Sequence, residues 1–265
     1  MRIYVCVKQV PDTTEIKIDP VTNTLIRAGV PSIVNPYDAY ALETALRLKE
    51  RYGAEVLVIS MGPEQAKEAL KECLAVGADR AWLISDRAFG GSDTLATSFV
   101  LSRAVAWLSK ELGDVGLILC GKQAIDGDTA QVGPEMAEHL DLPQITYASD
   151  AELSEDGVLV KRENDDGYDM IKTKLPAVVT VTKISGETRL PSIKGKMRAS
   201  KAEIPVLTAQ TLEIDVEKCG LKGSPTKVKK TFTPVRTKTG IKVEGKTAAE
   251  AAAGMAGFLD EKKLV

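Results

Sequence analysis

Residues 115–140, VGLILCGKQAIDGDTAQVGPEMAEHL, join a predicted strand to a predicted helix through a polar loop. The apolar run VGLILC is typical of a buried strand, and the end of the stretch has the pattern of an amphipathic helix. The loop between them carries Asp126 and Asp128. A helix start offers unpaired N–H groups and the positive end of the helix dipole, so the junction favours phosphate binding. The two aspartates argue against a simple anion cradle.

Strands and helices alternate through residues 1–145. Apolar, β-branched runs predict strands at RIYVCV, AEVLVISM, RAWLI and VGLILC, and apolar residues at helical spacing predict helices at 38–52, 64–76, 94–112 and 129–140. Asn35 and Pro36 predict the start of the first helix, and Gly77 predicts the end of the second. This order implies right-handed crossovers, and therefore an α/β fold with a doubly wound, mostly parallel sheet.

Other parts of the chain depart from this alternation. Residues 11–34 predict a β-hairpin insertion built from EIKID and TLIRA, and GVLVKRENDDGYDMIKTK predicts two strands around a turn. PAVVTVTKI predicts a strand able to join the sheet. Residues 186–245 show no sustained period and become rich in lysine, which favours an extended arm on a partner over a flexible tail. Residues 247–265 predict a terminal helix capped by Thr247.

The composition excludes several functional classes. A formal net charge of −2 over 265 residues provides no overall field for nucleic acid. No apolar stretch reaches the roughly 20 residues of a membrane span, and the start MRIYVCVKQV has a strand pattern rather than a signal peptide, which predicts a cytoplasmic protein. The four cysteines have neither zinc nor redox spacing, and Cys6 and Cys120 are interpreted as small buried residues. The single histidine, His139, argues against a histidine metal site or a Ser–His–Asp hydrolase.

Polar loops at one edge of the sheet predict a ligand site. In open parallel sheets, ligands bind beyond the carboxyl ends of the strands, where the strand order reverses. Four loops at that edge are rich in Gly, Thr, Ser, Asp or Gln, which suit a nucleotide: residues 6–12, 60–63, 85–94 and 120–133. Neither a Walker pattern nor a G-x-G-x-x-G pattern is present, which favours binding without hydrolysis.

The last of these loops carries the most specific expectations. Its glycines are expected to let the backbone approach a ligand or adopt positive φ: Gly121, Gly127 and Gly133. The N–H groups of a first helical turn are expected to face a phosphate: those of Thr129, Ala130 and Gln131. Asp126 or Asp128 is expected to cap the helix or to accept hydrogen bonds from ribose hydroxyls. The alternative is an ordinary capped loop without a ligand.

Seven stretches resemble the β subunit of electron-transfer flavoproteins: VCVKQVPD, NPYDAYALETALRLKE, ISMGP, AVGADRAWLI, GKQAIDGDTAQVGPEMAEHLDLPQ, KLPAVVTV and LPSIKGKMRASK. They extend over nearly the whole chain, and GKQAIDGDTAQVG resembles the family signature. The resemblance implies an adenine-nucleotide-hydrolase-like sheet and a homologous α subunit as partner. It also implies a nucleotide- or FAD-binding domain (1–185), a partner-recognition region (186–205), and a C-terminal arm with a helix that packs on the α subunit (206–265).

The two branches of this family imply different cofactors. In the respiratory branch the β subunit holds a structural AMP, and the α-subunit FAD carries the electrons. In the flavin-bifurcating branch a second FAD occupies that site and takes a hydride from NADH. One electron then goes to ferredoxin and the other, through the α-subunit FAD, to an acyl-CoA dehydrogenase-type flavoenzyme. The DGD of residues 126–128, the AQVG of residues 130–133 and the loop SDRAFGGSDTLATS resemble the bifurcating branch.

The resemblance also assigns site residues. Those expected to contact the nucleotide are Cys6, Asn35, Pro36, Tyr37, Asp38, Met61, Gln123, Ala124, Ile125, Asp126, Gly127, Asp128, Thr129, Ala130, Gln131, Val132 and Gly133. Those expected in a flavin-specific loop are Asp93, Thr94 and Thr97, with a plain helix cap as the alternative for Asp93. The stretch LPSIKGKMRASK resembles the loop that docks the dehydrogenase, with Leu190 as anchor, Ile193 beside it, and a basic fringe of Lys194, Lys196 and Arg198. Burial under the arm is the alternative for Leu190.

Overall fold

Most strands and helices lie where the apolar pattern of the sequence predicts them. The structure is a computed structural model that describes residues 1–12, 31–113, 115–229 and 240–265. In chain order its elements are β1 (Arg2–Cys6), β2 (Gln9–Pro11), β3 (Ser32–Val34), α1 (Pro36–Tyr52), β4 (Glu55–Met61), α2 (Lys67–Val76), β5 (Arg80–Ile84), α3 (Thr94–Leu112), β6 (Val115–Gly121), α4 (Val132–Leu140), β7 (Gln144–Ser154), β8 (Gly157–Asn164), β9 (Gly167–Thr173), β10 (Ala177–Val181), α5 (Ile193–Lys201), β11 (Val206–Leu207), α6 (Gly220–Gly223) and α7 (Ala248–Glu261).

The main sheet has the strand order β11-β5-β4-β1-β6-β10-β7-β8-β9. Neighbouring strands from β11 to β7 are parallel, and β7, β8 and β9 pair antiparallel. The predicted doubly wound, mostly parallel sheet is therefore confirmed. From β1 the chain proceeds to β4 and β5 on one side, and it then returns to β6 on the other side. The strand order thus reverses between β1 and β6, where Cys6 is the register partner of Cys120.

Helices cover both faces of the sheet, which explains why its central strands read as continuous apolar runs. On one face, α1 and α2 bury residues such as Leu46 and Leu70. On the other face, α3 and α4 bury residues such as Leu108 and Met136. The carboxyl ends of β1 and β6 therefore emerge between two layers of helices, and that position is where an open parallel sheet binds ligands.

Several predictions outside this alternating region are also confirmed. The strands β8 and β9 form the predicted hairpin, and β10 lies between β6 and β7 in the sheet. Thr247 caps α7, because its Oγ1 accepts a hydrogen bond from Glu250 N at 3.2 Å. The predicted EIKID and TLIRA strands lie outside the described residues, and β2 pairs antiparallel with β3 on either side of them. Within the described ranges, the helices are too short or too polar to traverse a lipid bilayer.

Two predictions about helices were wrong. The helix predicted at 129–140 begins at Val132, because Asp128 and Ala130 adopt positive φ values of 50° and 53° that a continuous helix excludes. Residues 186–245 show no period, yet they contain α5. The helix α5 spans only nine residues and Ala199 is its only buried one, so it is too short to show a sustained period.

The first part of the predicted C-terminal arm belongs to the α/β unit. The strand β11 extends the sheet beside β5, and Leu207, Leu212 and Cys219 are buried in the core that α3 and α4 form. Ser224 is also buried. By contrast, α7 contains no buried residue. The predicted arm of residues 206–265 was thus wrong for residues 206–224, and the packing of the later residues on a partner stays a prediction.

Substitution of Gly121 tests how closely α1 approaches the end of β6. A Cβ at position 121 would lie 2.6 Å from the carbonyl carbon of Tyr37 and 2.7 Å from Asp38 N, whereas a Cβ at position 127 would meet no atom within 4 Å. We expect Gly121→Ala to lower the free energy of unfolding by about 1–3 kcal/mol through overpacking. The matched control, Gly127→Ala, should change it by less than about 0.5 kcal/mol. Urea unfolding measures both, and equal midpoints would contradict the close approach.

Candidate nucleotide-binding site

The N-terminus of α1 holds the start of the loop that follows β6. Asn35 occupies the N-cap position and Pro36 the first helical position, as predicted. The side chain of Asn35, however, does not cap the helix. Its Nδ2 donates to the carbonyl oxygen of Gln123 at 2.8 Å, and its Oδ1 accepts from Ile125 N at 3.1 Å. Because Asn35 is fully buried, this pair of bonds fixes the loop firmly to α1.

Asp38, in the first turn of α1, joins the ends of β1 and β6. Its Oδ2 accepts from Lys8 N at 2.7 Å, and its Oδ1 accepts from Gly121 N at 3.1 Å. Burial raises the pKa of Asp38 to about 7, even though these backbone hydrogen bonds act in the opposite direction. Asp38, one of the residues assigned to the nucleotide, is therefore also a structural link beneath the site.

Ion pairing and hydrogen bonding occupy the two aspartates of the loop. Lys8 Nζ lies 2.7 Å from Oδ1 and 2.8 Å from Oδ2 of Asp126. Asp128 Oδ1 accepts a hydrogen bond from Gln123 Nε2 at 2.7 Å. No side chain caps α4, so the expectation that one aspartate caps this helix was wrong. Sequence reasoning missed Lys8, although its position directly after β1 was a signal that it lies at this edge of the sheet.

The second half of the loop leaves a row of backbone donors free. The N–H groups of residues 129–133 have no acceptor among the described residues. The prediction that Thr129, Ala130 and Gln131 form the first helical turn was wrong, because they precede α4. Their amides are nevertheless unpaired, as expected. Free backbone amides at and before a helix start are the kind of donor that anions bind.

Positive φ was one of the two roles expected of the loop glycines, and none of the three adopts it. Asp128 and Ala130 adopt positive φ, and Gly121, Gly127 and Gly133 do not. Two of the glycines instead allow protein atoms to pack closely: Gly121 against α1, and Gly133 against Thr180, whose Cγ2 would lie 2.5 Å from an added Cβ. A left-handed alanine is strained, and such strain is typical of functional loops.

The start of α3 contacts the start of α4 beside these amides. Thr94 Oγ1 lies 3.1 Å from Glu135 Oε1 and 3.3 Å from Gln131 Oε1. Glu135 Oε2 is buried and has no partner among the described residues. Glu135 thus links the starts of α3 and α4, and it is a second residue that sequence reasoning missed.

The other predicted contact residues lie at the same edge. Tyr37 lies in the first turn of α1, Met61 ends β4, and Thr97 lies in the first turn of α3. Cys6 ends β1 and is buried, with its Sγ 3.8 Å from Met136 Sδ. A hydrogen bond with Cys120, together with burial, raises the pKa of the Cys6 thiol well above its usual value. Cys6 and Cys120 are thus the small buried residues that were predicted.

The loop before α3 also anchors the C-terminal region of the chain. Asp93 caps α3, because its Oδ1 accepts from Ala96 N at 3.1 Å. Its Oδ2 accepts from Thr226 N at 3.0 Å and from Thr226 Oγ1 at 2.8 Å. Gly220 N donates to Ser92 Oγ at 3.1 Å. The cap is confirmed, and the proposed flavin contact of Asp93 stays a prediction.

The predicted docking residues lie on and before α5, which packs on α2. Leu190 is 89% exposed and Ile193 is 82% exposed, so burial of Leu190 under the arm is not observed among the described residues. Lys194 and Lys196 are exposed as well. Arg198 has a structural role, because its Nη2 donates to the carbonyl oxygens of Leu74 and Ala78 at 2.7 Å and 3.1 Å. Of the basic fringe, the two lysines extend into solvent.

Asp38 should impose a measurable pH dependence on stability. The pKa of Asp38 rises from 3.8 to about 7 on folding. Between these two pH values the folded chain keeps the Asp38 proton and the unfolded chain releases it. The Asp38 contribution to the free energy of unfolding therefore falls as the pH rises, by up to about 1.4 kcal/mol per pH unit. Asp38→Asn should remove this dependence, although it weakens one backbone hydrogen bond at every pH. Urea unfolding at about pH 5 and about pH 8 compares the two proteins, and an equal fall in both would refute the assignment.

Comparison with known proteins establishes the family to which this chain belongs. The family model described as "Electron transfer flavoprotein domain" matches residues 22–212. The chain is 53% identical over 244 residues to "Electron transfer flavoprotein subunit beta" of Megasphaera elsdenii, with 91% of this chain and 90% of the relative aligned. It is 47% identical to "Caffeyl-CoA reductase-Etf complex subunit CarD" of Acetobacterium woodii, over the full length of both chains. It is 44% identical to "Protein FixA" of Bradyrhizobium diazoefficiens, over 100% of this chain and 93% of the relative. The chain therefore belongs to the electron transfer flavoprotein family, among its β subunits.

Proposed function

We propose that this β subunit serves a flavin-bifurcating electron transfer flavoprotein and holds an FAD where the strand order reverses. The observation that carries the nucleotide site is the row of unpaired N–H groups at residues 129–133, at the start of α4. The choice of the bifurcating branch rests on the resemblance of DGD, AQVG and SDRAFGGSDTLATS to that branch. Backbone amides in such a row bind the phosphates of nucleotides. The family relationship independently favours a flavin or adenine nucleotide as ligand.

The residues of the site fit the adenosine and pyrophosphate part of FAD. Lys8 compensates the charge of Asp126, and Gln123 donates to Asp128 and orients its carboxylate. Gly127 is exposed and leaves open space on the loop.

The chain itself supplies binding and orientation. Bound FAD would supply the redox chemistry, accepting a hydride from NADH and passing one electron to ferredoxin and one through the α-subunit FAD to the dehydrogenase. The amides of residues 129–133 would hold the phosphates, and Asn35 keeps the loop that carries them in place. The Cys6 thiol has a raised pKa, so it remains protonated beneath the site at neutral pH.

The proposed partners follow from the exposed parts of the chain and from one relative. The exposed helix α7 would pack on the α subunit as the end of the C-terminal arm. Leu190 and Ile193, with Lys194 and Lys196 beside them, would dock an acyl-CoA dehydrogenase-type flavoenzyme. The name of the similar CarD chain places that relative in a complex of a caffeyl-CoA reductase and an Etf, which supports a CoA-ester reductase as the partner here.

The nucleotide content of the heterodimer tests the cofactor assignment. The chain should be produced together with its α subunit, and the released nucleotides should be separated by chromatography. We expect two FAD per heterodimer. One FAD and one AMP per heterodimer would instead support the respiratory type of β subunit, since a single phosphate can also bind to the free amides. Such a result would overturn the proposal of bifurcation and leave the family assignment intact.

The ion pair between Lys8 and Asp126 should control how tightly the nucleotide is held. Lys8→Gln leaves the Asp126 carboxylate uncompensated beside an anion, and we expect FAD retention to become about fivefold weaker. The double variant Lys8→Gln, Asp126→Asn removes both charges and should restore most of the retention. Equilibrium dialysis with FAD measures all three proteins. If the double variant were as weak as the single variant, charge compensation by Lys8 would not be the cause.

A further inference from the structure

The residue before Leu190 is fastened to α1 by an unusually complete set of hydrogen bonds. Arg189 Nε donates to Glu43 Oε2 at 2.8 Å, and its Nη2 donates to Glu43 Oε1 at 3.1 Å. Its Nη1 donates to Glu50 Oε1 at 2.5 Å, and its backbone N–H also donates to Glu43 Oε2, at 3.2 Å. A guanidinium that binds two carboxylates in this way has little rotational freedom.

Glu43 is a buried carboxylate that a second arginine orients toward Arg189. Its side chain is only 7% exposed, and Arg47 Nε, one turn along α1, donates to its Oε1 at 3.0 Å. Burial acts to raise the pKa of Glu43, but hydrogen bonds from Arg189 and Arg47 outweigh it and lower the pKa below its usual value. The carboxylate is therefore charged at neutral pH, and the contact with Arg189 is fully formed there.

The other side of the Leu190 segment is fastened to α2. Ser192 Oγ accepts from Gly195 N at 3.0 Å and caps α5, and Arg198 ties α5 to the carbonyl oxygens at the end of α2. Between these anchors, Leu190 and Ile193 are almost fully exposed. Two exposed apolar side chains are thus held on a short segment that is fixed at both ends.

An apolar cavity lies beside Arg189, yet the side chain of Leu190 remains in solvent. The cavity has a volume of about 120 Å³ and is lined by Leu42, Leu46, Val76, Thr188 and Arg189, among others. The hydrophobic effect would favour entry of a neighbouring leucine into such a space. Arg189 borders the cavity and is bound to α1, which fixes the residue that precedes Leu190.

We propose that Arg189 is a positioning residue for partner docking: its bonds to Glu43 and Glu50 hold Leu190 outward in the conformation that the dehydrogenase binds. This inference rests on the proposed docking function of Leu190. A segment ordered before binding loses less conformational freedom when the partner arrives. Loss of the Arg189 contacts should therefore weaken docking and leave nucleotide binding unchanged.

Reduction of the partner dehydrogenase by the complete electron transfer flavoprotein tests the role of Arg189. We expect Arg189→Gln to raise the KM for the dehydrogenase about tenfold, with little change in the maximal rate or in flavin content. Arg189→Lys keeps the charge but not the bidentate geometry and should give an intermediate KM. The matched control is Arg51→Gln, which removes the exposed pair between Arg51 and Glu152 at the end of the same helix and should leave the KM unchanged.

A double-mutant cycle separates this inference from the docking function itself. If Arg189 acts through Leu190, Arg189→Gln should add little to the effect of Leu190→Ala. An unchanged KM in Leu190→Ala would overturn the docking function. A raised KM in Leu190→Ala with a normal KM in Arg189→Gln would overturn only the role of Arg189. Additive effects, or a loss of flavin from Arg189→Gln, would show that Arg189 supports the fold rather than Leu190.

Discussion

The buried carboxylate of Asp38 is the contact on which the rest of the site depends. Its two oxygens receive the backbone N–H groups of Lys8 and Gly121, which follow or end the two strands where the strand order reverses. Strand pairing does not satisfy these amides, and a buried unpaired amide is strongly unfavourable. The carboxylate meets this need from the first turn of α1, and the absence of a side chain on Gly121 lets the helix approach closely enough.

The two halves of the loop after β6 differ in their contacts with the rest of the protein. The first half is fastened to the protein at several points, through Asn35 to residues 123 and 125 and through Lys8 to Asp126. The second half, residues 129–133, keeps its amides unpaired. A row of free amides binds an anion well only when it is held rigidly, and here the bonded half provides that rigidity. Asp126 and Asp128 thus lie in the first half of the loop or at its boundary with the second half, and not among the free amides.

The chain uses the same means to hold segments that lack an apolar core of their own. Asp93 fastens the residues around Thr226 to the start of α3, and Glu43 fastens Arg189 to α1. In both cases a charged side chain of the α/β unit binds a backbone group and a side chain of the same distant residue. Ionic hydrogen bonds of this kind fix position and direction, which hydrophobic contact alone does not.

The sequence alone was enough to predict the doubly wound sheet, the hairpin of β8 and β9, the starts of α1 and α7, and the family. Apolar runs and periods report which elements are buried, cap residues mark helix starts, and the family follows from stretches of matching sequence, so all of these can be predicted locally. Only the tertiary structure decided the start of α4, the presence of α5, and the pairs that Lys8 and Arg189 make with partners 118 and 146 residues away. No local pattern specifies such pairs, because the topology of the sheet brings their partners together.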